Sequence, residues 1–334
     1  MSGVKRLWQA RLPDHVIALA WSPVNSQLSA AAVSGPVTVF RADGETEREL
    51  AGHAFGTAAL SWHPTDSLLA SAGQDGKARL WNGTTCVELQ GGAPWIEHAA
   101  WSPSGNFLAT AGGKKLRLWD KAGKLAREYP DHPATIAALA WRPMKDRDSL
   151  ATGTYGGVFI WKTDADKPQR KLDYQGSIIA VACSSDGRYL VSGNQDSTLK
   201  VWLLKSGDEL EMTGYATKIR ELAWDATGRY LATGGSEVVI VWDCSGKGPR
   251  GTKPAMLVAH EQRLTALTFQ RAGKLLASGS EDGRVAVWRL DKPKAPVWTE
   301  QLTAGISQLA WSPDDTRLAV GTASGELEVY HVAD

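Results

Sequence analysis

Tryptophan returns along this 334-residue chain at a spacing that few folds can use. Trp21, Trp62, Trp101, Trp141, Trp224 and Trp311 each close a short apolar run, several just before Ser-Pro. Cys183 and Phe269 occupy the two remaining slots, and the intervals run from 39 to 45 residues. A second series, Trp81, Trp119, Trp161, Trp202, Trp242 and Trp288, ends a later run in each interval, with Phe40 and Tyr330 completing it. That makes eight units. Self-similarity at such a period marks an array whose members bury their apolar faces only against one another.

Within a unit the punctuation repeats. An apolar run such as "HVIALAW" enters a turn such as "SPSGNF", "SSDGRY" or "SPDDTR", where Pro presets φ and Gly accepts positive φ. A second run follows ("LLASAG", "YLVSGN", "LLASGS"), then Asp-Gly in "QDGKARLW" and "EDGRVAVW", the signal of a tight hairpin. The third run alternates, and a variable fourth ("CVELQ", "LAREY", "QRKLDY", "VWTEQL") leads into the next unit. Four antiparallel strands per unit form one blade of a β-propeller. The expected fold is therefore all-β, an eight-bladed propeller of four-stranded antiparallel blades. The residue before each first-strand aromatic is Ala20, Ser61, Ala100, Ala140, Ala182, Ala223, Thr268 or Ala310, all small, as the crowded innermost strands of such a ring require.

"SWHPTDSLLASAGQDGKARLWN" and "TFQRAGKLLASGSEDGRVAVWR" resemble WD repeats, and Trp119-Asp120 and Trp242-Asp243 keep the dipeptide itself. The resemblance covers essentially the whole chain. It gives a meaning to two constellations that could pass for a Ser-His-Asp triad. His53, Ser71 and Asp75 precede Trp81, and His260, Ser278 and Asp282 precede Trp288, at matching positions. The resemblance implies buried structural tetrads, since a buried carboxylate needs partners and an indole N–H needs an acceptor. Unit five keeps Ser192, Asp196 and Trp202 but carries Tyr174 in the His slot. Units three, four and six lose the Asp and one hairpin residue, so a less rigid hairpin is expected there.

Residues 7–23 align without a gap to residues 297–313, Trp8 on Trp298 and Leu12 on Leu302. The second stretch is a fourth strand running into a first strand, so "KRLWQARL" should be a fourth strand rather than a leader or a basic arm. The last unit stops after three strands. Hence residues 1–12 are expected to complete blade eight, within a single domain over 1–334 whose eight units fill 13–334. Such closure removes two open sheet edges.

Chemistry outside the tetrads is sparse. Lys and Arg number 37 against 36 Asp and Glu, which gives no field to draw nucleic acid or membrane. No apolar stretch is long enough to span a bilayer. Three separated cysteines, Cys86, Cys183 and Cys244, fit a reducing, cytoplasmic setting. No histidine spacing marks a metal site, and no cofactor motif is present. "GKGPRGTKP" (246–254) fails the phosphate-loop pattern and reads as an inserted loop, and "KDRD" (145–148) as a solvated turn. No enzymatic activity is expected.

Function then rests on surface departures. By resemblance, partners meet the face bearing the fourth-to-first and second-to-third strand loops. Trp95, Lys218 and Arg263 hold the position six before the first-strand aromatic, with Glu97, His98 and Arg220 following, and Tyr155, Gln195 and Glu281 on the hairpin loops. Large aromatics and Arg are enriched in binding hot spots. The expected role is a non-catalytic scaffold, a monomeric propeller presenting this face to a protein or peptide within a complex. Small-ligand or metal binding at the axial pore is the alternative.

Overall fold

The computed structural model describes residues 3–144, 148–246, 248–291 and 295–333. Most of "KDRD", and Lys247 of the Gly-rich loop, lie outside the described residues. Thirty strands account for nearly all regular structure, from Val4–Arg11 to Glu326–Val332, and no α-helix occurs among the described residues. Every sheet is an antiparallel meander in which consecutive strands pair, except at the closure.

The count of eight four-stranded blades is overturned. Hydrogen bonding divides the strands into seven sheets, six of four strands and one of six. Counted by sheets, the propeller has seven blades, and units four and five share one. The cause is local. Arg170–Cys183 runs unbroken from the fourth strand of unit four into the first strand of unit five. Two other junctions break with paired glycines or proline, in "LQGGAPW" and "EYPDHPAT", whereas "DYQGS" contains neither; "LAGHAFGT" and "MTGYAT" break without them. Gly176 is not among the glycines at positive φ, so the chain stays extended. Ser149–Lys162 likewise spans the second and third strands of unit four, and its Tyr155 pairs with Ser177 in the ladder.

Closure runs through the N-terminal strand. Val4–Arg11 pairs antiparallel with Glu326–Val332, forming the outer strand of the sheet made by unit eight. The alignment of this strand with Trp298–Gln301 has a structural counterpart. Trp8 packs on Phe40 at 5.5 Å between ring centroids, as Trp298 packs on Tyr330 at 4.8 Å. Leu12 donates its N–H to the Gly325 carbonyl, and Leu302 does the same to Gly283.

The core lies between neighbouring sheets. One cluster sets Leu12, Val16, Trp21 and Leu28 against Ala319, Leu327 and Val329 across the closure. Four of the six first-strand indoles reach over the same gaps to the carbonyl of the small residue in the preceding unit. Trp62 Nε1 donates to Ala20 O at 3.1 Å, Trp141 to Ala100 O at 2.9 Å and Trp311 to Thr268 O at 3.2 Å. Trp21 donates to Ala310 O at 3.0 Å, so one of these bonds crosses the ring junction itself. A large side chain at Ala20, Ala100, Thr268 or Ala310 would obstruct that carbonyl, which gives these four small residues a second reason.

Candidate interaction rim

The Ser-His-Asp sets form ordered relays in the sheet interior. Trp81 donates Nε1–H to Ser71 Oγ at 3.1 Å, and Ser71 Oγ lies 2.9 Å from His53 Nε2. His53 Nδ1 stands 2.8 Å from Asp75 Oδ1, and Arg79 donates to the other carboxylate oxygen at 3.1 Å. The network assigns the tautomer: Nδ1 carries the proton and Nε2 accepts from the serine. Burial, against the opposing pull of Asp75, holds the His53 pKa below its ordinary value, so the imidazole is neutral. The serine is 0% exposed and His53 7%; no substrate reaches it.

The second set is looser. Trp288 and His260 meet Ser278 Oγ at 2.8 and 2.7 Å, but His260 Nδ1 and Asp282 are 3.8 Å apart. Asp282 instead accepts the backbone N–H groups of Glu261 and Arg284, each at 2.7 Å.

Two units assemble the relay from residues the sequence did not flag. In unit four, His132 Nε2 lies 2.8 Å from Thr152 Oγ1, to which Trp161 Nε1 donates at 2.9 Å. In unit six the Tyr215 hydroxyl lies 2.9 Å from Thr233 Oγ1 and accepts from Trp242 Nε1 at 3.0 Å. Tyr174 of unit five donates to Asp196 at 2.6 Å. Tyr215 precedes Thr233 by 18 residues, the separation of His53 from Ser71, a signal that sequence reading could have used. His132 sits two residues further back from Thr152 than that pattern allows.

The rim side chains lie on one continuous ring of loops. In each of several units the hairpin loop donates to the loop entering the first strand: Val33 to His15, Gln74 to Gly56, Gln195 to Ser177, Glu281 to Arg263 and Ala323 to Gly305. Neighbouring units are stitched the same way, Ile96 to Gly73 at 3.0 Å, Ile136 to Gly113 at 2.7 Å and Leu264 to Ser236 at 2.9 Å. Glycine is required where these backbones meet. A Cβ on Gly112 would overlap the Trp95 carbonyl oxygen, and one on Gly193 would overlap that of Ile219.

On this ring Trp95 is 57% and Tyr155 66% exposed. Glu97, Gln195, Arg220 and Glu281 are also exposed, with His98, Lys218 and Arg263 half-buried. Arg263 and Glu281 satisfy each other at 2.5 Å. Partial desolvation by the loop around it raises the Glu97 carboxyl, and burial lowers the His98 imidazole. Phe55, overlooked in the sequence, is 84% exposed beside Gly56. Among the described residues, no three His, Cys, Asp or Glu side chains gather where a metal ion could be held, and no helix is long and apolar enough to cross a membrane.

The WD domain, G-beta repeat model matches residues 44–82, 83–120, 166–202 and 209–243. The chain is a WD-repeat protein. The model of the anaphase-promoting complex subunit 4 WD40 domain matches residues 267–334. Among curated proteins, Telomerase protein component 1 of Mus musculus is 26% identical over 80% of this chain, which spans 11% of that protein. THO complex subunit 3 of Arabidopsis thaliana is 26% identical over 81% of this chain and 88% of its own length. The chain thus spans about a tenth of some relatives and most of others. The crystal structure of the computationally designed Ika8 protein superimposes with a TM-score of 0.81, at 22% identity over 98% of this chain and 99% of that one; this likeness bears on the fold alone.

Proposed function

We propose that this WD-repeat protein is a non-catalytic platform that presents the loop ring to a protein or peptide partner. The observation that carries the reading is the set of large aromatics, Phe55, Trp95 and Tyr155, held out to solvent on loops whose backbone is hydrogen-bonded around the ring. Burying these rings against a partner is strongly favourable, and the locked backbone lowers the ordering cost. The relays offer no rival chemistry, because their serines are buried and their hydroxyls engaged on both sides. Relatives such as HIR1 of Cryptococcus neoformans and groucho of Drosophila melanogaster match over 80% and 69% of this chain. The repeat family generally serves as an interaction scaffold, which supports the same role here. A monomer acting within a complex, in a reducing cytoplasm suited to three separate thiols, completes the proposal.

The test replaces Trp95 and Tyr155 together by Ala and compares affinity purification with the wild type. Partner recovery should fall while thermal stability stays within the small range of surface substitutions, about 0.5 kcal/mol. Unchanged recovery would refute the platform at this ring.

A further inference from the structure

Three features coincide on the arc between units two and three. Phe55 is a bulky aromatic at φ 66° and is 84% exposed. A left-handed conformation is unfavourable for such a residue, and an exposed ring recovers little of that cost through packing. Glycine or asparagine would serve the turn better. Strain kept at an exposed aromatic points to use.

One hairpin further round, Trp95 presents its indole from a fixed backbone. Its carbonyl rests where Gly112 lacks a Cβ, and the next residue, Ile96, is bonded to Gly73. The hairpin residue Gln74 is itself bonded to Gly56, beside Phe55, so the two aromatics flank a single loop.

Two residues past Trp95, Glu97 has no ion-pair partner among the described residues. Several carboxylates elsewhere on the ring do have one. Asp75 meets Arg79 at 3.1 Å, Asp131 meets Lys115 at 2.6 Å and Glu281 meets Arg263 at 2.5 Å. Partial desolvation raises Glu97 with no cation to offset it, and its neighbour His98 is held neutral by burial. An anion without a counter-charge two residues from an exposed indole repels phosphate. It suits an ammonium or guanidinium, which gains both a charge-assisted hydrogen bond and a cation–π contact.

We propose that Phe55, Trp95 and Glu97 form a seat for a lysine or arginine side chain of an extended peptide segment. This rests on the platform reading and names the chemistry of its partner. Phe55 and Trp95 cover the aliphatic stem and the face of the cation, and Glu97 takes its N–H groups.

A phage-displayed random heptapeptide library, panned on wild type and on Trp95→Ala and Glu97→Gln, tests it. Wild type should enrich peptides with Lys or Arg at one fixed position. A resynthesised peptide should bind both variants about ten-fold more weakly. Replacing its basic residue by Gln should weaken binding to wild type about ten-fold, yet hardly change binding to Glu97→Gln, as a coupled pair requires. Enriched peptides that depend on Trp95 but lack a basic position would overturn the cation seat and leave the platform standing. Enrichment no better than on blocked matrix would overturn both. Retention of an oligothymidylate through Trp95 would likewise refute the seat, in favour of nucleic acid.

Discussion

His132 makes the sharpest quantitative prediction. It is 2% exposed, boxed by Phe159 and Trp161 at 5.4 and 5.0 Å, with Nε2 engaged by Thr152 and Nδ1 without a partner. Among the described residues no carboxylate bonds to it, unlike His53, and burial lowers its pKa from 6.5 to about 4. The folded protein therefore binds fewer protons than the unfolded chain between those values, and stability falls as pH falls through this window. Each pH unit well inside the window costs about 1.4 kcal/mol. Acidifying from about pH 7.5 to about pH 5 should therefore remove roughly 2 kcal/mol through this one ring. The assay is urea unfolding of wild type and His132→Leu across that range. The variant loses a constant amount with the Thr152 hydrogen bond, but its stability should fall by about 2 kcal/mol less on acidification. His53 and His260 titrate in both proteins and cancel. A difference between the two proteins that stays flat with pH would refute the buried, neutral assignment.

Three further outcomes follow from the same geometry. Deleting residues 1–12 removes the strand paired with Glu326–Val332 and the Trp8–Phe40 contact, so size-exclusion chromatography should show aggregates formed through the bared edge. A monomer with an unchanged melting point would contradict closure by this strand. Asp75→Ala leaves His53 Nδ1 without its acceptor and takes one of three partners from Arg79, which keeps Gly52 O and Glu88, whereas Asp282→Ala loses mainly backbone caps. The first should therefore cost about 1 kcal/mol more in chemical denaturation, and equal losses would show that the two relays are equivalent. Phe55→Gly should raise stability by about 1 kcal/mol through relief of the φ 66° backbone; a loss of stability would mean the ring packs on the protein rather than waiting for a partner.

Much of this fold was legible because its signals are local and repeated. Alternating runs, Asp-Gly turns and the two tryptophan series locate strands by backbone sterics and burial alone, and Trp8 could be matched to Trp298 because both pack on the next unit's third-strand aromatic. The His53 and His260 relays were legible for the same reason, each residue recurring at one spacing. His132 and Tyr215 were not, since a threonine or a tyrosine hydroxyl can satisfy an indole N–H from a different spacing or side chain. Phe55 was missed because sequence shows a residue's identity, while exposure and positive φ are properties of the assembled loop.

The division between the two levels is clearest at the blade count. By itself the sequence determined a closed β-propeller of repeated antiparallel strands, with an N-terminal strand that finds its partner at the C-terminus. It also set the same Ser-His-Asp constellation at matching positions in two units, which the resemblance reads as a structural tetrad. Only the tertiary structure decided that units four and five hydrogen-bond as one sheet, giving seven rather than eight. Repeat spacing records how often the chain returns to the axis. Whether two returns share a ladder depends on a few residues such as Tyr155 and Ser177 finding each other across space. The same holds for Glu97: its residue type is in the sequence, but the lack of an ion-pair partner is a fact of which cations the fold places elsewhere.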